Sequence, residues 1–188
     1  MDDSEYDQVT PARVLQFWFE EHGPADWFSS SEDFDARVRD AFSRTHAQAV
    51  ANELSDWRRT PEGRLAEIIV LDQFSRQLYR RQARAFAADG QALALAQELV
   101  RRGEDRVLRE ERRLFAYLPF VHSESLALQE QAVALSATLG EEAERHAREH
   151  RALIVRFGRY PHRNAALGRD DTAEEARYLA GIHESYGQ

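Results

Sequence analysis

The chain has 188 residues, is 43% hydrophobic and carries a formal net charge of −8, which suits one globular domain with its own core and is too short for two. It contains no cysteine and no lysine, all 25 basic residues being arginine, so disulfides, a thiol nucleophile, cysteine-bound zinc, a Schiff-base lysine and a P-loop are excluded. The acidic balance argues against a nucleic-acid partner. The longest aliphatic run, Ile68–Leu71, is far below the roughly 20 apolar residues that span a bilayer, and the first residues are acidic where a signal peptide is basic. A cytoplasmic protein with no membrane partner is expected. The exclusive use of arginine is what a GC-rich genome produces, yet planar bidentate recognition stays available.

Apolar spacing is helical almost throughout, and no hairpin dipeptide separates alternating strands, which predicts an all-α fold of about eight helices. Residues 1–9 form an acidic, patternless tail expected to be mobile, ahead of a single all-helical domain over 10–188. Thr10 as N-cap and Pro11 at the first helical position open a helix that runs through Phe17-Trp18-Phe19 to Gly23-Pro24. A second starts near Ser30 or Ser31 and continues to about Leu54, and Thr60-Pro61 opens a third that ends near Arg81. Asp89 caps a fourth, which stops at Arg101-Arg102-Gly103. The fifth and sixth, about Glu104–Leu118 and Ser123–Leu139, flank Pro119, and the seventh covers Glu141 to about Phe157. Thr172 and Glu175 form a capping box for the last, about 173–185. Short connections make successive helices antiparallel neighbours, paired as in a tetratricopeptide-like stack, although the tryptophan, glycine and tyrosine spacing of that repeat is absent.

Charge gathers at residues 156–164, Arg-Phe-Gly-Arg-Tyr-Pro-His-Arg-Asn. Between Arg151 and Arg169 there are five arginines and no acidic residue, and Gly158 and Pro161 break any helix, so guanidinium groups and backbone N–H groups share a turn suited to an anion. The structural alternative is that Arg156 and Arg159 answer the carbonyl end of the seventh helix while Arg163 and Arg169 pair with acidic neighbours. In the third helix Leu65, Ile68, Ile69 and Tyr79 make one apolar arc with Asp72 and Arg76 in its middle, and Leu71, Phe74 and Leu78 make another. The helix is therefore central, and its ion pair is either buried structure or part of a pocket. His146 and His150 spell His-Ala-Arg-Glu-His, a pattern of one zinc-protease group, but no feature fixes a third ligand among Glu124, His162 and Glu174, and satisfied core histidines explain the pair. No metal or cofactor is implied. His122, Ser123, Glu124 and Ser125 crowd a helix start, where they serve as caps or as part of an anion site. Phe17, Trp18, Phe19, Trp27 and Phe28 read as core.

Three phrases occur in order: Leu71-Asp72-Gln73-Phe74-Ser75-Arg76 with Tyr79-Arg80; Tyr117-Leu118-Pro119-Phe120 with His122-Ser123-Glu124-Ser125; and Arg156 through Asn164 with Leu167-Gly168-Arg169. With Phe17-Trp18-Phe19, the chain closely resembles the bacterial family known as domain of unknown function 924, over about residues 10–180. The resemblance implies a helical fold of the tetratricopeptide-like superfamily and no assigned activity. Tyr160 and Val121 stand where phenylalanine and methionine are expected.

The phrases and the physical reading single out the same residues as a ligand-binding cleft: Asp72, Arg76, Arg80, His122, Ser123, Glu124, Arg156, Arg159, His162, Arg163 and Asn164. The leading reading is a site for a small anionic molecule or a peptide carboxylate, with Arg159 and Arg163 as clamps, His162 as donor and Asp72 orienting Arg76 or Arg80. A second is a scaffold for a protein partner on a concave helical surface. A third is a hydrolase or lyase with His122, Glu124 and His162 as catalytic candidates.

Overall fold

A computed structural model describes residues 9–181. Thr10 accepts a hydrogen bond from the Arg13 N–H at 3.2 Å and Pro11 starts α1 (Pro11–Gln16), which runs straight into a π-helical turn, Phe17–Glu21. After a short α2 (Pro24–Trp27), Ser31 caps α3 (Glu32–Val50). Thr60 caps α4 (Pro61–Ile69), which continues through a second π turn, Val70–Phe74, into α5 (Ser75–Leu78). Then follow α6 (Asp89–Arg101), α7 (Glu110–Val121), α8 (Leu126–Ser136), α9 (Glu141–Phe157), α10 (Asn164–Leu167) and α11 (Ala173–Ala180). The fold is all-α, with no strand among the described residues. None of its described helices is long and apolar enough to cross a membrane.

Helix α4 is central because it is apolar on both arcs: it packs against α1, α6 and α7, and its π-helical continuation packs against α3. Every residue from Gly63 to Phe74 is buried. From α6 onward each long helix packs on the next, α6 on α7, α7 on α8 and α8 on α9, as short connections require. The aromatics of the N-terminal helices are core rather than pocket lining. The Trp18 ring meets those of Trp27, Phe34, Phe74 and Phe115 with centroids within 6.0 Å. Phe28 is the exception, 55% exposed. A smaller cluster of Leu153, Ile154 and Tyr160, with Phe157 and Tyr178 against it, sits where α9 meets the arginine-rich turn and α11.

Several boundaries depart from the periodicity for local reasons. Helix α3 stops at Val50 rather than near Leu54, since Asn52 adopts φ +60°, and α5 stops at Leu78 rather than near Arg81, where φ is +59°. Glu104–Val107 is a separate 3-10 turn, so α7 begins later than expected; it then runs past Pro119, whose missing N–H falls in the last turn and forfeits one bond. The short helices α2 and α10 occupy segments expected to be loops. The capping box at Thr172 and Glu175 is present on both sides. Residues 1–8 of the acidic tail and the predicted end of the last helix beyond Gly181 lie outside the described residues.

Candidate functional site

The π turn Val70–Phe74 sets Asp72 at the middle of the molecule, fully buried. Its Oδ1 accepts a hydrogen bond from His122 Nδ1 at 2.7 Å and lies 3.2 Å from Arg76 Nη1, while Oδ2 accepts one from Gln73 Nε2 at 2.6 Å. Arg76, one turn on, donates to the Asp72 carbonyl at 2.6 Å and forks onto Asp89 at 3.0 and 3.1 Å. His122 arrives as the C-cap of α7 and Asp89 as the first residue of α6. Arg163 enters from the 3-10 turn Pro161–Arg163. Its guanidinium carbon lies over the rings of Phe86 and Tyr160, each 4.7 Å away, which leaves the in-plane N–H edge for hydrogen bonding. Along that edge Nη1 is 3.4 Å from Asp89 Oδ2, an oxygen already held by Arg76. Arg163 Nε is buried with no hydrogen-bond partner among the described residues. The rings of His150 and His162 flank Tyr160 at 5.9 and 5.4 Å.

Burial works to raise the Asp72 pKa, but Arg76, His122 and the two side-chain hydrogen bonds outweigh it and hold the carboxyl well below the usual range. Burial lowers the His122 pKa, with Asp72 opposing. His150 is lowered to about 4 by burial, and His162 to about 3 by burial and the charge of Arg163. Arg163 is itself pushed down, by burial and then by Arg76. At neutral pH the cluster therefore holds two guanidinium cations, two carboxylates and three neutral imidazoles.

Of the residues expected to line the cleft, Asp72, Arg76, His122, His162 and Arg163 come together. The others are committed elsewhere. Arg80 forks onto Asp35 and also donates to the Ser29 carbonyl at 3.0 Å, so Asp72 orients Arg76 alone of the two arginines. Arg159 forks onto Glu175 at 2.7 and 2.8 Å, which occupies the expected clamp, and Arg156 pairs with Glu174 at 2.7 Å. Both arginines thus meet acids in the first turn of α11 rather than the carbonyl end of α9. Glu124 accepts from Nη1 and Nη2 of Arg169 and from the Tyr160 N–H, so His122 takes its carboxylate partner from Asp72 instead. Asn164 bridges Asp171 and Arg169. The Ser123 hydroxyl accepts from the Ser125 N–H at 3.2 Å and its carbonyl from Gln129. His146 points outward beside Glu142 and Glu149, whereas His150 turns in toward Tyr160. No group of three His, Asp or Glu side chains among the described residues stands in a metal-holding arrangement. Sequence reasoning missed Asp89, read as a helix cap, and the covering rings of Phe86 and Tyr160; no spacing ties Asp89 to Arg163, 74 residues away.

Fold and site together define an all-helical protein whose centre holds an Asp–His–Arg cluster with one under-satisfied arginine. The family described as bacterial protein of unknown function (DUF924) matches residues 14–182, and the chain belongs to it. It is similar to the solved structure of a protein of unknown function from Agrobacterium tumefaciens, with 41% identity, a TM-score of 0.86, and coverage of 90% of this chain and 96% of that one. No curated protein matches.

Proposed function

We propose that the protein binds a small anionic ligand, a carboxylate or a phosphate, on the edge of Arg163. One observation carries this reading: Arg163 is only 6% exposed, yet among the described residues its Nε has no hydrogen-bond partner and its one carboxylate neighbour lies at 3.4 Å and is shared with Arg76. A buried, under-paired guanidinium is costly to keep, and an incoming anion would supply what Asp89 supplies poorly. His122, His162 and Asp89 are only partly buried and give the cluster an outer edge. Arg159, tied to Glu175, is no longer part of the clamp. The Asp72–His122 pair supports proton transfer at the same place as a second reading, with Asp72 in the role first given to Glu124. Among the described residues the exposed large apolar side chains, Phe28, Val50, Val107, Leu126, Val155 and Leu167, come from six separate segments of the chain, and a scaffold groove would need them to share one face.

Thermal melting in inorganic phosphate, malonate and short peptides tests the binding reading. A ligand at 100 times its Kd adds about 2.7 kcal/mol, so a clear rise in Tm is expected for wild type and for Arg159→Ala, and none for Arg163→Met. An equal rise in Arg163→Met would refute the assignment.

A further inference from the structure

The charges of the cluster decide what accompanies the anion, an inference that rests on the binding reading above. Arg76 and Arg163 contribute two positive charges and Asp72 and Asp89 two negative ones, so the unliganded cluster is balanced. An anion set against Arg163 leaves it with excess negative charge, which a largely buried site holds only at a cost in free energy. A proton drawn from solvent onto one imidazole restores the balance.

The three imidazoles are not equivalent acceptors. His162 has Arg163 as its strongest charged neighbour, which opposes a second positive charge. His150 places Nδ1 at 2.8 Å from the His146 carbonyl, a neutral acceptor, and also feels Arg163. His122 is hydrogen-bonded to a carboxylate, Asp72, at 2.7 Å, with Asp89 adding to the same field. It also caps the carbonyl end of α7, where the helix dipole favours a cation. Because Nδ1–H donates to Asp72, the tautomer is set, and the lone pair sits on Nε2, which makes no hydrogen bond to another described residue.

We propose that His122 Nε2 takes up one proton when an anion binds at Arg163, so that ligand and proton enter as a unit. The proton comes from solvent, one N–H bond forms, and no bond of the ligand breaks. The groups acting on His122 are Asp72 and Arg76 from the central helix, Asp89 from α6, His150 from α9, and His162 from the turn. The site therefore selects fully ionised oxyanions, and its affinity rises about tenfold for each unit of pH decrease between the free and bound pKa values of His122.

Calorimetric titration with sulfate, which carries no proton at neutral pH, tests this in two buffers of different ionisation enthalpy at pH 7. The expected result is a buffer-dependent heat corresponding to close to one proton taken up per sulfate. In His122→Gln, checked for native helicity by circular dichroism, sulfate should still bind with a buffer-independent heat and a flat pH profile. Saturable binding to wild type with no proton uptake overturns this inference and leaves the Arg163 site standing, and so does full uptake retained in His122→Gln. Absence of saturable sulfate binding in wild type removes both.

Discussion

Arg76 and Arg163 are both buried arginines of one cluster, and their partners separate them. Arg76 has its fork on Asp89, a carbonyl and the Asp72 carboxylate, whereas among the described residues Arg163 has one long, shared polar contact and two aromatic rings. Removing Arg76 strands buried Asp72 and leaves Asp89 under-compensated, so Arg76→Met should cost about 3–5 kcal/mol in urea denaturation. Arg163→Met should stay within about 1 kcal/mol of wild type or exceed it, because an under-paired buried charge is replaced by an apolar chain of similar length. If Arg163→Met were as damaging as Arg76→Met, Arg163 would be structural. The same attention to donors disposes of a decoy. His46 Nε2 lies 2.7 Å from Ser75 Oγ, like a base beside a nucleophile, but Ser75 is fully buried and its hydroxyl donates to the Leu71 carbonyl at 2.6 Å. His46 Nε2 must then be the donor, with no lone pair left there to act as base.

Two π turns interrupt the helices that the periodicity read as regular, and the second is what turns Asp72 toward α7. The position of Asp72 among apolar residues was visible as a charge on a hydrophobic stripe. The π turn was not, since widening a helix by one residue follows from the packing of α4 against its neighbours rather than from any residue type. Close approach also fixes the start of α4. A Cβ on Gly63 would lie 2.0 Å from the Trp57 carbonyl oxygen and 2.9 Å from Thr60 Oγ1. Alanine gains roughly 1 kcal/mol of helix propensity over glycine, but displacing a backbone carbonyl costs more. Gly63→Ala should therefore lose about 2 kcal/mol net and lower Tm by roughly 4–8 °C. A raised Tm would mean that the turn over Ser55–Arg59 moves aside freely.

Acid should weaken the whole protein, and the sign follows from the histidines. His46 and His150 are lowered to about 4 and His162 to about 3, each chiefly by burial, from an ordinary value of 6.5. Between pH 6.5 and those values the unfolded chain binds protons that the folded chain refuses, so stability is intact above pH 6.5 and declines as pH falls. Asp72, Glu124 and Glu175 are depressed carboxylates, so their contribution is present above the ordinary carboxylate range and is lost as pH drops through it. Tm measured against pH should begin to fall below about 6.5, ahead of carboxylate titration. Arg163→Met should soften that first decline, because it removes a charge that lowers both His162 and His150. An unchanged profile in the variant would separate Arg163 from the imidazoles.

Helix identity and most helix starts were legible along the chain because they rest on local rules: apolar residues three and four apart, and the caps at Thr10 and Thr172, whose partners stand three residues away. The phrases around Asp72, His122 and Arg163 also carry residues that the fold brings into one cluster. Which charge meets which was not legible. Arg159 and Arg163 look alike four residues apart, yet α11 brings Glu175 to one and the start of α6 leaves the other with a shared oxygen. His122 stands beside Glu124 in the chain, yet it pairs with Asp72, 50 residues away. Partner choice among charged side chains depends on where packed helices place them in three dimensions, and the arginine left under-paired is a product of the tertiary structure alone.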